Sequence, residues 1–481
     1  MRTVPPTEKG KYRAIASGAI ANGKPVVVNS AGTVSVVSGF SEATGTAVVF
    51  EAATASYIRA AFDSSNNRVV LAYQDGGNSN YGTAVVGTIS DTSISFGTPV
   101  AFAAGVGGEN SITFDSSNNK VVITYQLAAT GHGTAIVGTV DPSDNSISFG
   151  SASAFNSAST SSINCTFDND NNKVVIVYQD GGNSYYGTAI VGTVSGTSIS
   201  FGSEAVFESA TIYDTGCAFD SNSNKAVIAY KDAGNSNHGT AIVGTVSGTG
   251  ITFGSAAVFE AAATSYSAIA FDSSNNKVII VYQDAGNSNH GTAIVGTVSG
   301  TSISFGSAAV FNAAGTVTPR VAFDSNINKA IIVYEDDANS DYGTYIVGTV
   351  SGTSISFGSE IVFEAAAVEY TDVAFDSSNN KMAIVYQDEG NSSYGTAIVQ
   401  RSAVPTNLTT ENYIGIATGG SYADGQSVTV DVIGTVNDDQ SSLTAGQQYF
   451  VQEDGTLGLT ADSTSVVAGT AISATELLVK E

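Results

Sequence analysis

The sequence predicts an all-β protein built from seven copies of one four-stranded unit. A Phe-Asp pair followed by a polar turn recurs seven times, at intervals of 52 or 53 residues. Within each copy, short runs rich in β-branched residues alternate with Gly-rich or polar turns, which is typical of strands rather than helices. Only 12% of the 481 residues are charged, whereas 52 are Gly. This composition suits many short strands joined by tight turns.

The Phe of each Phe-Asp pair serves as the anchor that aligns the copies. The seven anchors are Phe62, Phe114, Phe167, Phe219, Phe271, Phe323 and Phe375. In the fifth copy the four predicted strands are Ser267–Asp272, Lys277–Asp284, Gly291–Val298 and Ile303–Phe311. A four-stranded repeat of about fifty residues is typical of a propeller blade. The sequence therefore predicts a seven-bladed β-propeller.

The N-terminal part of the chain supplies a strand that the last copy lacks. The seventh copy ends at Arg401, after its third strand. The segment Gly45–Ala53, which precedes the first full copy, matches Gly254–Ala262 of a complete copy nearly residue for residue. We expect this segment to complete the seventh blade and close the ring, because closure removes open strand edges.

The two flanks, residues 1–44 and 402–481, do not carry the repeat but resemble each other. Each contains a hairpin pattern, at Asn22–Val37 and Ala445–Thr460. We therefore predict one small β-domain into which the propeller, residues 45–401, is inserted. Because the third strand of each blade ends on the face opposite to the start of the first, both flanks are expected to leave one face and the other is free.

The composition argues against several partner classes. A net charge of −26 disfavours nucleic acid and anionic membrane surfaces, both of which attract Lys and Arg. No apolar run is long enough for a membrane helix, and Met1–Gly10 has no apolar core, so we expect no Sec-type export. The two cysteines, Cys165 and Cys217, replace apolar residues two positions before an anchor, and we expect both thiols to be buried and free.

The repeat offers no recognisable catalytic or metal-binding cluster. His132, His238 and His290 precede Gly-Thr where other copies have Tyr, so they are interpreted as structural aromatics. The repeated Asp-x-Gly-Asn-Ser loop, as at Asp180–Ser184, is predicted to cap its own turn, and calcium binding by its oxygens is the alternative. We expect no enzyme activity, no cofactor and no metal.

The residues three and five positions before each anchor vary most, and they are predicted to line the free rim of the central channel. The predicted ligand-binding residues are Tyr57, Arg59, Glu109, Asn164, Tyr213, Asp214, Tyr266, Arg320, Tyr370 and Asp372. This mixture of aromatic and hydrogen-bonding groups is typical of a ligand surface. Drift on an unconstrained loop is the alternative. A sialidase-like propeller would need an arginine cluster, which two arginines do not provide.

Several stretches resemble structural proteins of tailed phages. In the C-terminal flank these are Tyr413–Ala417, Leu443–Gln452 and Ala468–Thr475. The repeat resembles propeller repeats of marine phage proteins at Phe271–Lys277, Tyr282–Asn287, Gly291–Val298 and Ser302–Ser307. The resemblance implies a virion component, either a tail fibre or a capsid decoration. It also implies that the terminal β-domain binds other virion proteins and that the propeller is displayed. The resemblance does not name a ligand, and a host-surface glycan or receptor is our expectation for the partner of the propeller.

Three classes of function follow from these observations. The first is a non-enzymatic virion protein that displays a propeller for host attachment. The second is a sugar-binding, lectin-like propeller, which would bind glycan without any particle. The third is a glycan-processing enzyme, which would release a product.

Overall fold

The computed structural model describes residues 10–39, 42–403, 406–462 and 464–480. Residues 1–9, where no export signal is predicted, lie outside the described residues. The chain divides into two compact units, Thr44–Arg401 and a second unit formed by Met1–Ala43 with Ser402–Glu481. Within the described ranges the secondary structure consists of strands and 3-10 turns, so the all-β prediction is confirmed. None of these residues belongs to a helix able to span a membrane.

Each repeat of the larger unit contributes a long strand, a second strand, a third strand and a short strand. The long strands are Val48–Asp63, Val106–Asp115, Ser153–Asp168, Ala205–Asp220, Ala257–Asp272, Ala309–Asp324 and Ile361–Asp376. The second strands are Arg68–Asp75, Lys120–Leu127, Lys173–Asp180, Lys225–Asp232, Lys277–Asp284, Lys329–Asp336 and Lys381–Asp388. The third strands are Tyr81–Ser90, His132–Asp141, Tyr186–Ser195, His238–Ser247, His290–Ser299, Tyr342–Ser351 and Tyr394–Arg401.

The remaining elements of this unit are short. The short strands are Ala43–Thr44, Ser93–Phe96, Ser146–Phe149, Ser198–Phe201, Gly250–Phe253, Ser302–Phe305 and Ser354–Phe357, and Val100–Ala103 is a separate strand before the second copy's long strand. The 3-10 turns are Gly76–Asn78, Gly181–Asn183, Ala233–Asn235, Ala285–Asn287, Asp337–Asn339 and Glu389–Asn391. All strand pairs within the repeats are antiparallel.

The predicted fourth strand is wrong in one respect, because it forms two separate pieces. In the fifth copy the third strand pairs with Ser302–Phe305 at one end and with the start of Ala309–Asp324 at the other. The chain breaks between these pieces at Gly306, where a Cβ atom would lie 1.9 Å from the backbone oxygen of Thr353 in the next copy. This close approach leaves no room for a side chain and requires glycine at this position.

The predicted strand bounds leave a loop between the fourth strand of one copy and the first strand of the next, and this prediction is also wrong. The segment is part of a continuous strand of 16 residues in most copies, for example Ala257–Asp272. Its first half pairs with the third strand of one copy, and its second half pairs with the second strand of the next. Each copy therefore completes its sheet with residues that continue into its neighbour.

The second strands are the most buried elements, which explains their unbroken apolar sequence. In the fifth copy Val278 is 1% exposed, and Ile279, Ile280, Val281 and Tyr282 are not exposed at all. Both faces of such a strand are covered, because its side chains pack against the preceding copy on one side and the following copy on the other. Burying one such side chain contributes about 1.5–3 kcal/mol, so the copies stabilise one another.

The segment before the first copy pairs with the last copy. Val48–Asp63 begins against the third strand Tyr394–Arg401, with Val48 opposite Ala397 and Thr54 opposite Tyr394. The Gly45 backbone N–H donates to the Val399 oxygen over 2.8 Å. The register is the one that Ala309–Asp324 adopts against His290–Ser299.

The second unit contains two five-stranded sheets. The first combines both ends of the chain, in the order Lys11–Ile15, Ser427–Asp431, Tyr413–Thr418, Pro25–Val28 and Val34–Val36. The second consists of C-terminal strands, in the order Val436–Asn437, Leu477–Val479, Val466–Ala471, Gln448–Val451 and Leu457–Gly458. Both predicted hairpins are confirmed. One apolar cluster of this unit joins Val27 and Val37 to C-terminal residues such as Ile416 and Val451.

Removal of the N-terminal strand is expected to destabilise the repeat unit. We compare a chain lacking residues 1–53 with one lacking residues 1–42, since both lose the N-terminal strands of the second unit and only the first loses the strand that pairs with Tyr394–Arg401. The shorter chain should melt at a lower temperature and form oligomers through its unpaired edge, as measured by calorimetry and size-exclusion chromatography. Equal melting of the two chains would contradict the importance of this pairing.

The glycine at the break between the two pieces of the fourth strand is expected to be intolerant of a side chain in every copy except the one that contains Gly358, which has no neighbour closer than 3.8 Å. In Gly202→Ala the new Cβ atom would lie 1.8 Å from the Thr249 backbone oxygen, so the two copies must move apart. We expect a loss of about 2–4 kcal/mol in the free energy of unfolding, measured by denaturant titration. Gly250→Ala is the matched control, because its nearest neighbour, the Ser247 oxygen, is 3.8 Å away. The control should change stability by less than about 1 kcal/mol.

Candidate functional site

A β-bulge near the middle of each long strand sets the direction of the variable side chains. In six copies the residue five positions before the anchor has a positive φ: Tyr57, Ser162, Asp214, Tyr266, Thr318 and Tyr370, with φ between 45° and 55°. The pairing register shifts at the same place, for example between Ser265 and Ala268. A left-handed conformation costs a non-glycine residue roughly 1–2 kcal/mol, and such strain is concentrated at ligand sites in proteins.

The bulges surround one cavity of about 290 Å³. Residues five and three positions before the anchor line it in all seven copies. At the first position these are Tyr57, Glu109, Ser162, Asp214, Tyr266, Thr318 and Tyr370. At the second position they are Arg59, Ser111, Asn164, Gly216, Ala268, Arg320 and Asp372. The long strands of all seven copies therefore contribute to a single site.

Nine of the ten predicted ligand-binding residues line this cavity, and one does not. The exception is Tyr213, which is 44% exposed and is not among the lining residues. It immediately precedes the bulge residue Asp214, which does face the cavity. The bulge separates these two neighbours, and no glycine occupies the bulge position at this place in the sequence.

The cavity also contains residues that were not predicted as site residues. Several of them lie two positions before the anchor, namely Cys165, Cys217, Ile112, Ile269 and Val321. Both cysteines are buried and free. Burial raises the pKa of the Cys165 thiol to about 11 and also raises that of Cys217, so neither is a reactive thiolate at neutral pH. The apolar residues at the equivalent position of other copies could have indicated that this position lines the cavity, because all of them lie two positions before an anchor.

Two arginines, Arg59 and Arg320, line the cavity from the first and sixth copies. Each folds back on its own chain: Arg59 Nη1 donates to the Ile58 oxygen over 2.8 Å, and Arg320 Nη1 donates to the Pro319 oxygen over 3.0 Å. Arg320 lies deep in the protein but keeps part of its surface open to the cavity. Its burial, together with the charge of Arg59, lowers the pKa of Arg320 to about 10, so it stays charged at neutral pH.

Three carboxyl groups line the same cavity and bond to the backbone of the next copy. Asp372 Oδ2 accepts from the Ala60 N–H over 2.9 Å, and Glu109 Oε2 accepts from the Ile163 N–H over 3.2 Å. Asp214 accepts a backbone hydrogen bond from Tyr266. Burial raises the pKa values of Glu109 and Asp214, against the opposing charges of Arg59 for the first and of Lys231 and Arg320 for the second. These carboxyl groups link neighbouring copies as well as line the site.

Aromatic rings and small polar groups complete the cavity wall. Tyr57 and Tyr370 pack together with ring centroids 4.8 Å apart and an interplanar angle of 47°. Burial and the neighbouring Tyr57 raise the pKa of the Tyr370 phenol to about 12. Ser111, Ser162 and Thr318 supply hydroxyl or backbone groups. A wall with donors, acceptors and ring faces can bind a small polyhydroxylated molecule, whose hydroxyl groups both donate and accept hydrogen bonds.

The repeated loops act as turns rather than as part of this site. Asp75, Asp180, Asp232 and Asp284 accept hydrogen bonds from backbone N–H groups of the following 3-10 turns, which confirms the prediction of turn capping in four copies. The three histidines begin third strands and are not among the lining residues. Among the described residues, no group of three or more His, Cys, Asp or Glu is arranged to hold a metal ion.

Comparison with known proteins supports the fold. No family model matches the sequence, and no curated protein sequence matches it significantly. The BP39L lectin from Burkholderia pseudomallei is similar in structure, with a TM-score of 0.56, 11% identity, and coverage of 75% of this chain and 99% of the lectin. A protein of unknown function from Dyadobacter fermentans has a TM-score of 0.47 at 11% identity, covering 75% of this chain and 99% of its own. A chain of a mitotic checkpoint complex has a TM-score of 0.47 at 8% identity, covering 75% and 95%.

The likeness to the lectin shows a β-propeller-like fold of repeated antiparallel strands. At 11% identity it shows the fold alone.

Outside the cavity lining, Glu335 departs from the repeat. Its counterparts Gln74 and Gln283 donate from Nε2 to a backbone oxygen of the next copy, over 2.7 Å in each case. An ionised glutamate cannot donate such a bond. Burial, together with the carboxylates of Asp341, Glu369, Asp337 and Glu389, raises the pKa of Glu335 to about 8.

Replacement of Glu335 by Gln is expected to stabilise the protein in alkaline solution. Because the folded pKa of about 8 exceeds the unfolded value of about 4.5, the stability associated with protonated Glu335 is full below about pH 4.5 and is lost as the pH rises through 8. With solvent screening taken into account, Glu335→Gln should add on the order of 1–2 kcal/mol at pH 9 and little at pH 4. Melting temperatures measured across this range test the expectation.

Gln283→Glu is the matched control, because it places the same carboxyl group at the equivalent position of the preceding copy. It should lower the melting temperature progressively above neutral pH. Equal pH dependence of wild type and Glu335→Gln would contradict the assignment.

Proposed function

We propose that the chain is a non-enzymatic sugar-binding protein whose repeats form a seven-bladed β-propeller with a ligand site at the centre. The observation that carries the proposal is the cavity lined by the same two positions of all seven copies. A central site formed in this way needs a circular arrangement of the copies, and its lining has the mixed aromatic and polar character of a ligand pocket.

Contacts between the last and first copies support the closed ring. The strand beginning at Val48 pairs with Tyr394–Arg401, and Ser378 Oγ donates to Asn67 Oδ1 over 2.6 Å. The latter contact repeats the Ser-Asn bonds between other neighbouring copies, such as Ser65 with Asn119. The Tyr57–Tyr370 ring contact and the bond from Ala60 to Asp372 also join the first copy to the seventh.

Sugar binding is supported by the chemistry of the lining. Tyrosine faces can pack against the C–H groups of a sugar ring, while arginine donors and carboxylate acceptors satisfy its hydroxyl groups. The structural neighbour with the TM-score of 0.56 is itself a lectin, which is consistent with this class of function. The cavity of about 290 Å³ suits one or two sugar residues.

The resemblance of the terminal flank and of the repeats to tailed-phage proteins supports a more specific setting for this activity. We propose that the second unit attaches the chain to other proteins of a phage virion, as a tail fibre or capsid decoration. The propeller would then display its cavity to a glycan or receptor on the host surface. Electron microscopy of particles that carry the chain, with the chain located by its density, tests this setting.

A glycan-processing enzyme is the competing function. The cavity contains Glu109 and Asp214, two carboxyl groups with raised pKa values, and a pair of carboxyl groups is the usual requirement for glycoside hydrolysis. However, each already accepts a backbone hydrogen bond from the next copy, from Ile163 and from Tyr266 respectively. This structural use favours binding over catalysis.

Loss of the tyrosine pair is expected to weaken glycan binding. We propose the double change Tyr57→Ser and Tyr370→Ser, because Ser162 occupies the same bulge position in the third copy. Affinity for glycans selected on an array and measured by calorimetry should fall at least about tenfold, since each aromatic contact contributes about 1 kcal/mol. Tyr213→Ser, which removes a tyrosine outside the cavity, should leave affinity unchanged.

Failure of the intact protein to bind any glycan on the array would contradict the proposal. Release of shorter saccharides during incubation, detected by mass spectrometry and abolished by Glu109→Gln, would instead establish the enzymatic alternative.

A further inference from the structure

Within the described residues, the positive charges of the two cavity arginines have no directly bonded negative partner. Neither Arg59 nor Arg320 forms a direct ion pair within the described residues. Each guanidinium group donates from Nη1 to the carbonyl of the preceding residue, and its Nε and Nη2 groups have no hydrogen-bond partner in the described structure. A buried charge is costly unless it is paired with an opposite charge. Arg320, which lies deep in the protein, lacks such a partner among the described residues.

The carboxylates of the cavity do not supply that anion. Asp372 accepts from Ala60, Glu109 from Ile163 and Asp214 from Tyr266, in each case the backbone N–H of the next copy. These bonds orient the carboxyl groups along the contacts between copies. The negative charges of these carboxyl groups lower the cost of burying the arginine charges, but no carboxyl group of the described residues accepts a hydrogen bond from either guanidinium group.

The arginines flank the aromatic pair. Arg59 belongs to the first copy and Arg320 to the sixth. The seventh copy, which pairs with the N-terminal strand of the first, contributes Asp372 and Tyr370 to the cavity. Tyr370 packs on Tyr57 of the first copy. A ligand that covers these rings therefore meets guanidinium donors at its edge. Planar guanidinium forks match carboxylates with two parallel hydrogen bonds, which gives Arg its preference for such groups.

We propose that the cavity binds an acidic saccharide, with the carboxylate of a uronic or sialic acid held by Arg59 and Arg320 and the sugar ring on Tyr57 and Tyr370. This inference rests on the proposed sugar-binding function and names its ligand class. The shared chemistry is a carboxylate attached to a pyranose ring, and either kind of acidic sugar presents it. Because the lining also contains three carboxyl groups, attraction of an acidic ligand depends on direct contact with the two guanidinium groups and not on the net charge of −26.

The test compares a saccharide with its neutral ester. Calorimetry of the full chain is performed with an oligogalacturonate and with the same oligomer fully methyl-esterified, which removes the charge but keeps the carbon skeleton. Sialyllactose and its methyl ester form a second pair, which distinguishes the two sources of the carboxylate. The acidic member of at least one pair should bind about tenfold or more tightly than its neutral partner, and its affinity should fall as salt is added.

Arg59→Gln and Arg320→Gln are each expected to remove most of that preference. The positions tolerate substitution, since Ala268 and Asn164 occupy them in other copies, and melting curves verify the fold. Lys231→Gln is the matched control: Lys231 donates to Ser265, is not among the lining residues, and stands where Gln occurs in most copies. It removes the same charge but should change affinity less than about threefold.

Each outcome has a defined meaning. Equal affinity for the acid and its neutral partner in both pairs overturns the inference while the sugar-binding function stands. A preference for the acid that survives both arginine changes also overturns it, because the carboxylate is then held elsewhere. Absence of binding to every saccharide, neutral or acidic, rejects the proposed function itself.

Discussion

The repeat unit depends on strands that belong to two copies at once. The first half of Ala257–Asp272 completes the sheet of one copy, and the second half begins the sheet of the next. A second strand such as Lys277–Asp284 is covered on both faces only when both neighbours are present. Because the apolar core lies between copies, no single copy can bury it alone, and each copy is stabilised by its neighbours.

This shared strand also determines where polar chemistry is placed. Its first half pairs with the third strand of one copy, and its second half pairs with the second strand of the next. The bulge lies between these two pairings. At the bulge the backbone turns residues such as Asp214 and Tyr370 toward the cavity. The carboxyl groups of Glu109 and Asp372 then bond to the backbone of the following copy, so the lining holds the copies in register while it presents donors and acceptors.

Much of this arrangement could be predicted from the period and from the substitutions within it. The 52-residue spacing of the anchors allowed the variable positions to be aligned. Arg59, Asn164 and Arg320, which this alignment grouped together, line one cavity. The bulge could not be predicted, because residues such as Tyr266 give no sign of a positive φ. This is why Tyr213 was grouped with its neighbour Asp214, although only Asp214 is among the lining residues. The close contact of Gly306 with the next copy also could not be predicted, because sequence periodicity does not reveal which residues of neighbouring copies meet.

The bulge has a consequence for how such a scaffold can change over time. Its side chains face the cavity, whereas the apolar residues that hold the copies together lie on the second strands. Tyr, Ser, Asp and Thr all occupy the same bulge position with nearly the same φ. Selection can therefore exchange one lining side chain in one copy without disturbing the core. Duplicated copies, once identical, thereby become a set of separately adjustable positions around a common ligand.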